Sequence, residues 1–257
     1  MSAAPSAIVI GGSSGIGQAC AVALARDGAR VVVVGTNEER VEESRRRCAA
    51  ASAASECGPV DQLGLVCDVT RERDMTAMAD AVGARLGGID LVVFSAGIGQ
   101  SRQSARRLPQ PTAELPLAEW QAVLDVNVTG AFLASRAVAP IMVAQQRGHI
   151  LNIGSSTTPR GLRGTPFAPA YCASKFALMG LTESLSAELE PHGVRVQLVF
   201  PGPVATPLVD QTALARPFGG IVSAEHFAEG LLGLIHQPLD ATVIHPHLLP
   251  FAPRPAH

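Results

Sequence analysis

The sequence predicts a doubly wound α/β fold, a parallel sheet with helices on both faces. Three observations carry this. Seven short runs are almost continuously apolar and rich in β-branched residues, the pattern of strands buried on both sides. Ala-rich stretches of helical length lie between them, and such an alternation builds a parallel sheet wrapped by helices. The first run leads at once into a glycine-rich turn that opens the first helical stretch, the place where folds of this kind receive phosphates.

Strand one, AIVIG (7–11), runs into GGSSGIG (11–17) and the helix expected over 15–27. Gly11 lets the chain turn sharply. Gly15 and Gly17 remove side chains, so that a pyrophosphate can approach the backbone and the helix can pack on the sheet. The helix N-terminus then presents unpaired N–H groups and a positive dipole end. Strand two is RVVVVG (30–35). NAD sites often place an acid at its end, for the ribose 2′-hydroxyl. Here Gly35 stands in that place, followed by Thr36 and Asn37, with Arg40 one turn on. No carboxylate repels a 2′-phosphate, Thr36 and Asn37 can donate to one, and Arg40 can reach it. Thr36 and Asn37 read also as the N-cap of the helix over 38–52. The missing acid weighs against a methyltransferase using S-adenosylmethionine, which would want a carboxylate on its ribose.

The helix over 38–52 carries three successive arginines in ESRRRC (43–48). They span most of a turn and read as a solvated face, not a nucleic-acid surface. LGLVCD (63–68) and DLVVFS (90–95) are strands three and four, with a helix over 71–86 between them. The helix over 117–145 contains VLDVNVTGAFLASRAVAPIMV, apolar on more of its circumference than one core contact needs, which predicts a partner surface. HILNIG (149–154) is strand five, followed by a helix over 170–191, VRVQLVF (194–200) as strand six, a helix over 223–237 and ATVIH (241–245) as strand seven. The Pro-rich tail 246–257 is expected to be extended. Three irregular segments, 98–116, 156–169 and 201–222, follow the C-terminal ends of predicted strands, the edge where open parallel sheets bind ligands. Arg102, Arg106 and Arg107 in the first read as a solvent-facing loop, or as a cleft mouth that favours an anionic group. The stretch 207–222 suits a lid.

A length of 257 residues suits one domain, 1–257, with a sizeable core. A net charge of −2 gives no electrostatic case for nucleic acid or an anionic membrane. No apolar run approaches the roughly 18 residues of a membrane span, and the N-terminus makes a poor signal peptide. Cys20, Cys48, Cys57, Cys67 and Cys172 are odd in number and scattered, which fits reduced thiols in a cytoplasm. HPH (245–247) has two histidines on one face but no third ligand nearby, so no metal is expected.

YCASK (171–175) holds the only tyrosine, Tyr171, and the only lysine, Lys175, against nineteen arginines. Four residues apart on a helix, they share a face. A free phenol has a pKa near 10, and moving it by about three units takes roughly 4 kcal/mol of preference for the phenolate. An ammonium a few ångströms away, beside a cationic nicotinamide, can supply that in a partly dry site. Lysine suits this better than arginine, because a compact ammonium donates in several directions and its pKa can adjust. Cys172, one residue on, faces elsewhere and reads as packing.

Together with GGSSGIG, these residues resemble the short-chain dehydrogenase/reductase family, over nearly the whole chain. The resemblance implies an oxidoreductase that moves hydride between a nicotinamide and a carbonyl or secondary alcohol. It assigns Gly11, Ser13, Ser14, Gly15, Ile16 and Gly17 to the cofactor phosphates, Thr36, Asn37 and Arg40 to the adenosine ribose, and Asp68 and Val69 to adenine. Ser95, Ala96 and Gly97 match the family's Asn-Ala-Gly, with Ser95 in place of Asn. Asn127, Ser155, Tyr171 and Lys175 match its catalytic set. Pro201, Gly202, Val204 and Thr206 match its nicotinamide loop. Ser155 lies sixteen residues before Tyr171, more than is usual, which leaves Ser156 as an alternate serine. Lys175 is implied to bond the nicotinamide ribose and polarise Tyr171, and Asn127 to hold a water. NADP(H) is the expected cofactor, with NAD(H) the alternative. The resemblance also implies a homodimer or homotetramer. A non-catalytic dinucleotide-binding regulator is the other reading, although a binder needs no acid–base tyrosine.

Overall fold

The computed structural model describes residues 4–100, 111–156, 168–210, 220–238 and 241–250. Seven parallel strands form one sheet in the order β3-β2-β1-β4-β5-β6-β7. They are β1 (Ser6–Ile10), β2 (Arg30–Gly35), β3 (Leu63–Val66), β4 (Leu91–Phe94), β5 (Gly148–Ile153), β6 (Val194–Pro201) and β7 (His247–Leu248). The main helices are α1 (Gly15–Arg26), α2 (Glu38–Ala53), α3 (Glu72–Leu86), α4 (Leu117–Leu124), α5 (Gly130–Gln145) and α6 (Pro169–Leu189). The short α7 (Pro207–Asp210) and α8 (Ala224–Ile235) complete the chain.

The continuous apolar runs have a simple cause. Along β1, Ile8 and Ile10 face a core shared with Met75 and Met78 of α3, Val138 and Met142 of α5 and Leu178 of α6. Ala7 and Val9 face the other core, with Cys20 and Leu24 of α1 and Phe227 and Leu231 of α8. A strand with helices on both sides has no wet face, so alternation disappears. Strand order reverses between β1 and β4, which opens a crevice at their C-terminal ends.

Two expectations are corrected. The helix over 117–145 is interrupted by a π turn, Asp125–Thr129, between α4 and α5. The seventh strand is His247–Leu248, not 241–245. His245 takes a left-handed backbone, φ 52°, which ends any extended run before it. Thr242 and Val243 are held instead by the Gln197 side-chain amide, which donates at 3.1 and 3.0 Å. Beyond the kink, His247 stacks on Phe200 with ring centroids 4.8 Å apart and pairs with it in register.

By length and composition the run Leu117–Gln145 could cross a membrane, contrary to the expectation that no run approaches that length. Here its residues Val123, Ala131, Leu133, Ala134, Val138 and Met142 are buried in the molecule's own core. On α2, Arg45 and Arg46 pair with Glu42, and Arg47 with Glu43. The three arginines thus form the ion-paired solvent face expected of them. Arg102, Arg106 and Arg107, most of the 207–222 segment and the end of the tail lie outside the described residues.

Candidate active site

The glycine turn closes over the end of β1. Gly11 and Gly15 have positive φ, 82° and 54°, the region glycine enters without strain. A Cβ on Gly11 would stand 2.5 Å from the Ala96 amide nitrogen, so this glycine admits the loop after β4. Gly15 lies against Thr206, whose Cγ2 would be 3.2 Å from a Cβ there. Gly17 packs directly on the Gly11 carbonyl. Ser14 is the N-cap of α1, but its side chain makes no cap hydrogen bond. The first N–H groups of α1 therefore remain open to an anion. The turn itself is fastened from below: the Gly11 and Gly12 amides donate to Val34 O at 2.9 and 3.0 Å. Ser44 of α2, fully buried, donates to Gly12 O at 2.7 Å.

At the end of β2, Asn37 caps α2, its Oδ1 accepting from the Arg40 amide at 2.9 Å. The capping reading thus holds, and the Asn37 amide nitrogen is left over for a ligand. The Arg40 side chain is exposed and has no ion-pair partner among the described residues. Glu38 and Glu39 sit in the same first turn. Across the crevice, Asp68 Oδ1 accepts from the Thr70 amide and hydroxyl at 3.0 and 2.8 Å. Val69 is buried beneath it, against Gly130.

The π turn delivers Asn127 into the centre. Its Oδ1 accepts from the Ile98 amide at 2.8 Å, and its Nδ2 donates to Ile98 O and to Ser174 Oγ, both at 2.9 Å. Ser174 in turn donates to the Tyr171 carbonyl at 2.8 Å. Asn127 and Ser174 are both 0% exposed, so the loop after β4, the π turn and the first turns of α6 are one hydrogen-bonded unit. Such turns recur at functional sites. Gly97 lies beside this unit: a Cβ there would be 3.5 Å from Asn127 Oδ1 and 3.7 Å from Lys175 Nζ.

Lys175 is 5% exposed and donates to Ile153 O at 2.9 Å. Its Nζ lies 5.7 Å from the centroid of the Tyr171 ring. Burial pulls the ammonium down to about 8. Burial also pushes the Tyr171 phenol up, and a hydrogen bond from the Ser155 side chain opposes this. The protein alone thus raises the phenol; the lowering expected from the sequence counted on a cationic nicotinamide beside the ammonium. Of the two serines, Ser155 carries the bond to Tyr171. Ser156 is 3% exposed, and its amide donates to Pro201 O at 2.8 Å. That bond ties the serine loop to the 201–207 segment. Gly202 donates to Leu248 O at 2.8 Å, and Val204 bridges Val222.

Apart from Arg102, Arg106 and Arg107, the site residues named from the sequence lie among the described residues, and most gather along the C-terminal edge of the sheet. Ser44, Ile98 and Ser174 escaped the sequence reading. Ser44 and Ile98 carried no local signal, since their partners are 32 and 29 residues away. Ser174 was visible inside YCASK, but nothing in the spacing tied it to Asn127. Among the described residues no cluster of metal-ligating side chains occurs.

A family model described as short chain dehydrogenase matches residues 5–216. The 3-alpha-(or 20-beta)-hydroxysteroid dehydrogenase of Mycobacterium tuberculosis is 38% identical over 218 residues, covering 82% of this chain and 75% of that one. Among solved structures, a metagenomic short-chain oxidoreductase in complex with NADP superposes with a TM-score of 0.75 at 31% identity, covering 95% of each chain. The 3-ketoacyl-(acyl-carrier-protein) reductase of Brucella melitensis, complexed with NADH, superposes with a TM-score of 0.82 at 26% identity, covering 95% of this chain and 96% of that one.

Proposed function

The chain belongs to the short-chain dehydrogenase family and is an oxidoreductase acting on alcohols or ketones, and from that premise we propose that it prefers NADP(H) and uses Tyr171 as its general acid and base. The observation that carries the reading is the convergence of Ser155, Tyr171 and Lys175 at the sheet's ligand-binding edge. The fit to a dinucleotide rests on the uncapped N-terminus of α1 and the bare glycine turn above it.

When bound, the reduced nicotinamide supplies a hydride to the carbonyl carbon. The chain's own residues do the rest. Ser155 donates to the substrate oxygen and stabilises the charge that develops on it. Tyr171 gives that oxygen its proton, or takes it back in the reverse direction. Lys175 has three N–H groups and spends one on Ile153 O. Two are left, for the nicotinamide ribose and for the approach to Tyr171. Asn127 holds the π turn with its side chain and keeps a water near Lys175 for proton supply. Pro201, Gly202, Val204 and Thr206 would hold the nicotinamide, and Asp68 and Val69 the adenine. Ser95, Ala96 and Gly97 would contact the cofactor between its two ends.

NADP(H) preference is supported by Gly35 in place of an acid and by Arg40, free of any ion pair among the described residues. Glu38 and Glu39 favour the second reading, NAD(H), by opposing a phosphate at the first turn of α2. The chain is proposed to work as one domain, in a cytoplasm that keeps its five free cysteines reduced, and as a dimer or tetramer. Leu117 of α4, Phe132 of α5 and Phe176 of α6 leave 69%, 41% and 41% of their surface exposed, which supports a partner on that side. Steady-state assay of a carbonyl panel with NADPH and NADH side by side tests the function; no turnover with either cofactor would refute it.

A further inference from the structure

β6 ends in Pro201, and Gly202 follows it. Different segments hold the two sides of this turn. From the β5 side, the Ser156 amide donates to Pro201 O at 2.8 Å. On the β7 side, the Gly202 amide donates to Leu248 O and the Phe200 amide to Pro246 O, both at 2.8 Å. The chain beyond β7 then passes directly over Gly202. A Cβ there would stand 3.0 Å from Pro250 Cδ, 3.1 Å from Leu249 Cδ2 and 3.4 Å from Leu249 Cα, so the backbone as well as the side chains closes on this glycine. Pro250 also reaches Gly220, whose missing Cβ would lie 3.4 Å from Pro250 Cβ. Leu248, Leu249 and Pro250 are each partly buried. This strap is anchored away from the turn as well. The Gln197 amide holds Thr242 and Val243. His245 pairs with Glu183 of α6 at 3.2 Å and meets the Phe200 ring edge-on, while His247 stacks on the same ring. The anchors therefore lie on β6, which leads into Gly202, and on α6, which carries Tyr171 and Lys175.

We propose that Leu249 and Pro250 are positioning residues for hydride transfer. Seated on Gly202, they fix the Pro201–Gly202 turn from the β7 side and so set the nicotinamide end of the site against Ser155 and Tyr171. This rests on the assignment of Gly202 to the nicotinamide made above, and not on the NADP(H) preference. Gly202 has no side chain with which to pack itself in place. With the strap loosened, the turn keeps the Ser156 bond and the pairing of Pro203 and Ala205 with Val222, but it loses its cover. The turn then has to be ordered on binding, which lowers affinity, and a reacting carbon held by a loose turn loses rate.

The test uses the full chain with Leu249→Ala and Pro250→Gly, singly and together, and Leu249→Met as the conservative variant. NADPH and NADH are titrated by nicotinamide fluorescence. ADP-ribose and its 2′-phosphate, which lack only the nicotinamide ring, are titrated by calorimetry. The double variant is expected to bind each dinucleotide about five- to tenfold more weakly and to turn over about tenfold more slowly, while each fragment stays within about twofold of wild type. Leu249→Met should stay within about twofold of wild type throughout, because it keeps the volume. In the cofactor-free protein, amide exchange across 201–206 should quicken at least about tenfold, with the glycine turn 11–17 unchanged. Dinucleotide and fragment weakening together would show that the strap supports the fold as a whole, and that overturns the proposal. So does a double variant that binds and turns over as wild type does. Should the double variant not fold, the single variants decide by the same ratio of dinucleotide to fragment. A wild type that prefers NADH refutes the NADP(H) reading alone, because each dinucleotide is compared with its own fragment.

Discussion

Lys175 Nζ sits 5.7 Å from the centre of the Tyr171 ring while donating at 2.9 Å to the Ile153 carbonyl. The ammonium is thus anchored to β5 on the Tyr171 side of the site. Burial works on the two groups in opposite senses. It raises the phenol and lowers the ammonium, since it penalises the charged form of each. In the free protein, burial favours a protonated tyrosine and pulls the neighbouring lysine down to about 8.

The first prediction concerns the proton. Tyr171→Phe keeps the ring and removes the transferable hydrogen, so turnover should fall at least about a hundredfold while cofactor affinity survives. Ser155→Ala should be severe and Ser156→Ala mild in activity, since Ser155 holds the bond to the phenol. Steady-state kinetics with cofactor titrations check this. A more damaging loss at Ser156 would reverse the assignment.

The second concerns the lysine's charge. Because Lys175 is the only lysine, lysine-specific isotope labelling yields a single side-chain signal. Its midpoint in the free protein is expected at about 8; a midpoint above 10 would show that burial does not govern it. The folded value is depressed, so the unfolded chain binds more protons between about 8 and 10.5, and this group makes stability rise with pH across that window. Lys175→Met should accordingly gain most in melting temperature below about pH 8.

The third concerns cofactor choice. Catalytic efficiency should favour NADPH over NADH by about ten- to a hundredfold, or roughly 1.4–2.7 kcal/mol. Neutral donors contribute about 1 kcal/mol each, and Arg40 is exposed with no ion-pair partner among the described residues. Arg40→Ala should reduce the NADPH efficiency several-fold and leave that of NADH nearly unchanged. A wild type that works better with NADH contradicts the reading of β2.

The fourth tests the buried serine. Ser174→Ala removes the acceptor of one Asn127 bond and the donor to the Tyr171 carbonyl. A loss of roughly 1–3 kcal/mol is expected in denaturant unfolding, because an Asn127 N–H is left unpaired in the interior. Stability equal to wild type would mean that the π turn does not depend on this link.

The fifth concerns assembly. The exposed faces of α4, α5 and α6 predict a dimer or tetramer in solution. Light scattering across micromolar concentrations decides it, and a monomer throughout would leave Phe132 and Phe176 without a partner.

Much of the candidate site was readable along the chain because its spacings are local. The turn after β1 needs glycines within a few residues of one another, and the 3.6-residue helical repeat puts Tyr171 and Lys175 on one face. The choice between Ser155 and Ser156 was not readable. Neighbouring serines have the same local signature, and a bond from Ser156 to Pro201, on another strand, separates them. The π turn at Asn127 was hidden for the same reason: its bonds reach Ile98 and Ser174, 29 and 47 residues away.

The order of strands and helices, the glycine turn and the Tyr-Lys face followed from patterning, since hydrophobic period and short spacings report the local backbone. Three features were decided only when distant segments met. The seventh strand moved to His247–Leu248, where a ring could stack on Phe200. The phenol's pKa went up, because burial is a property of the assembled interior and not of the tyrosine. Pro250 came to rest on Gly202, its Cδ 3.0 Å from the Cβ that glycine lacks. Contacts between residues far apart in the chain leave no period to read, so packing alone could place them.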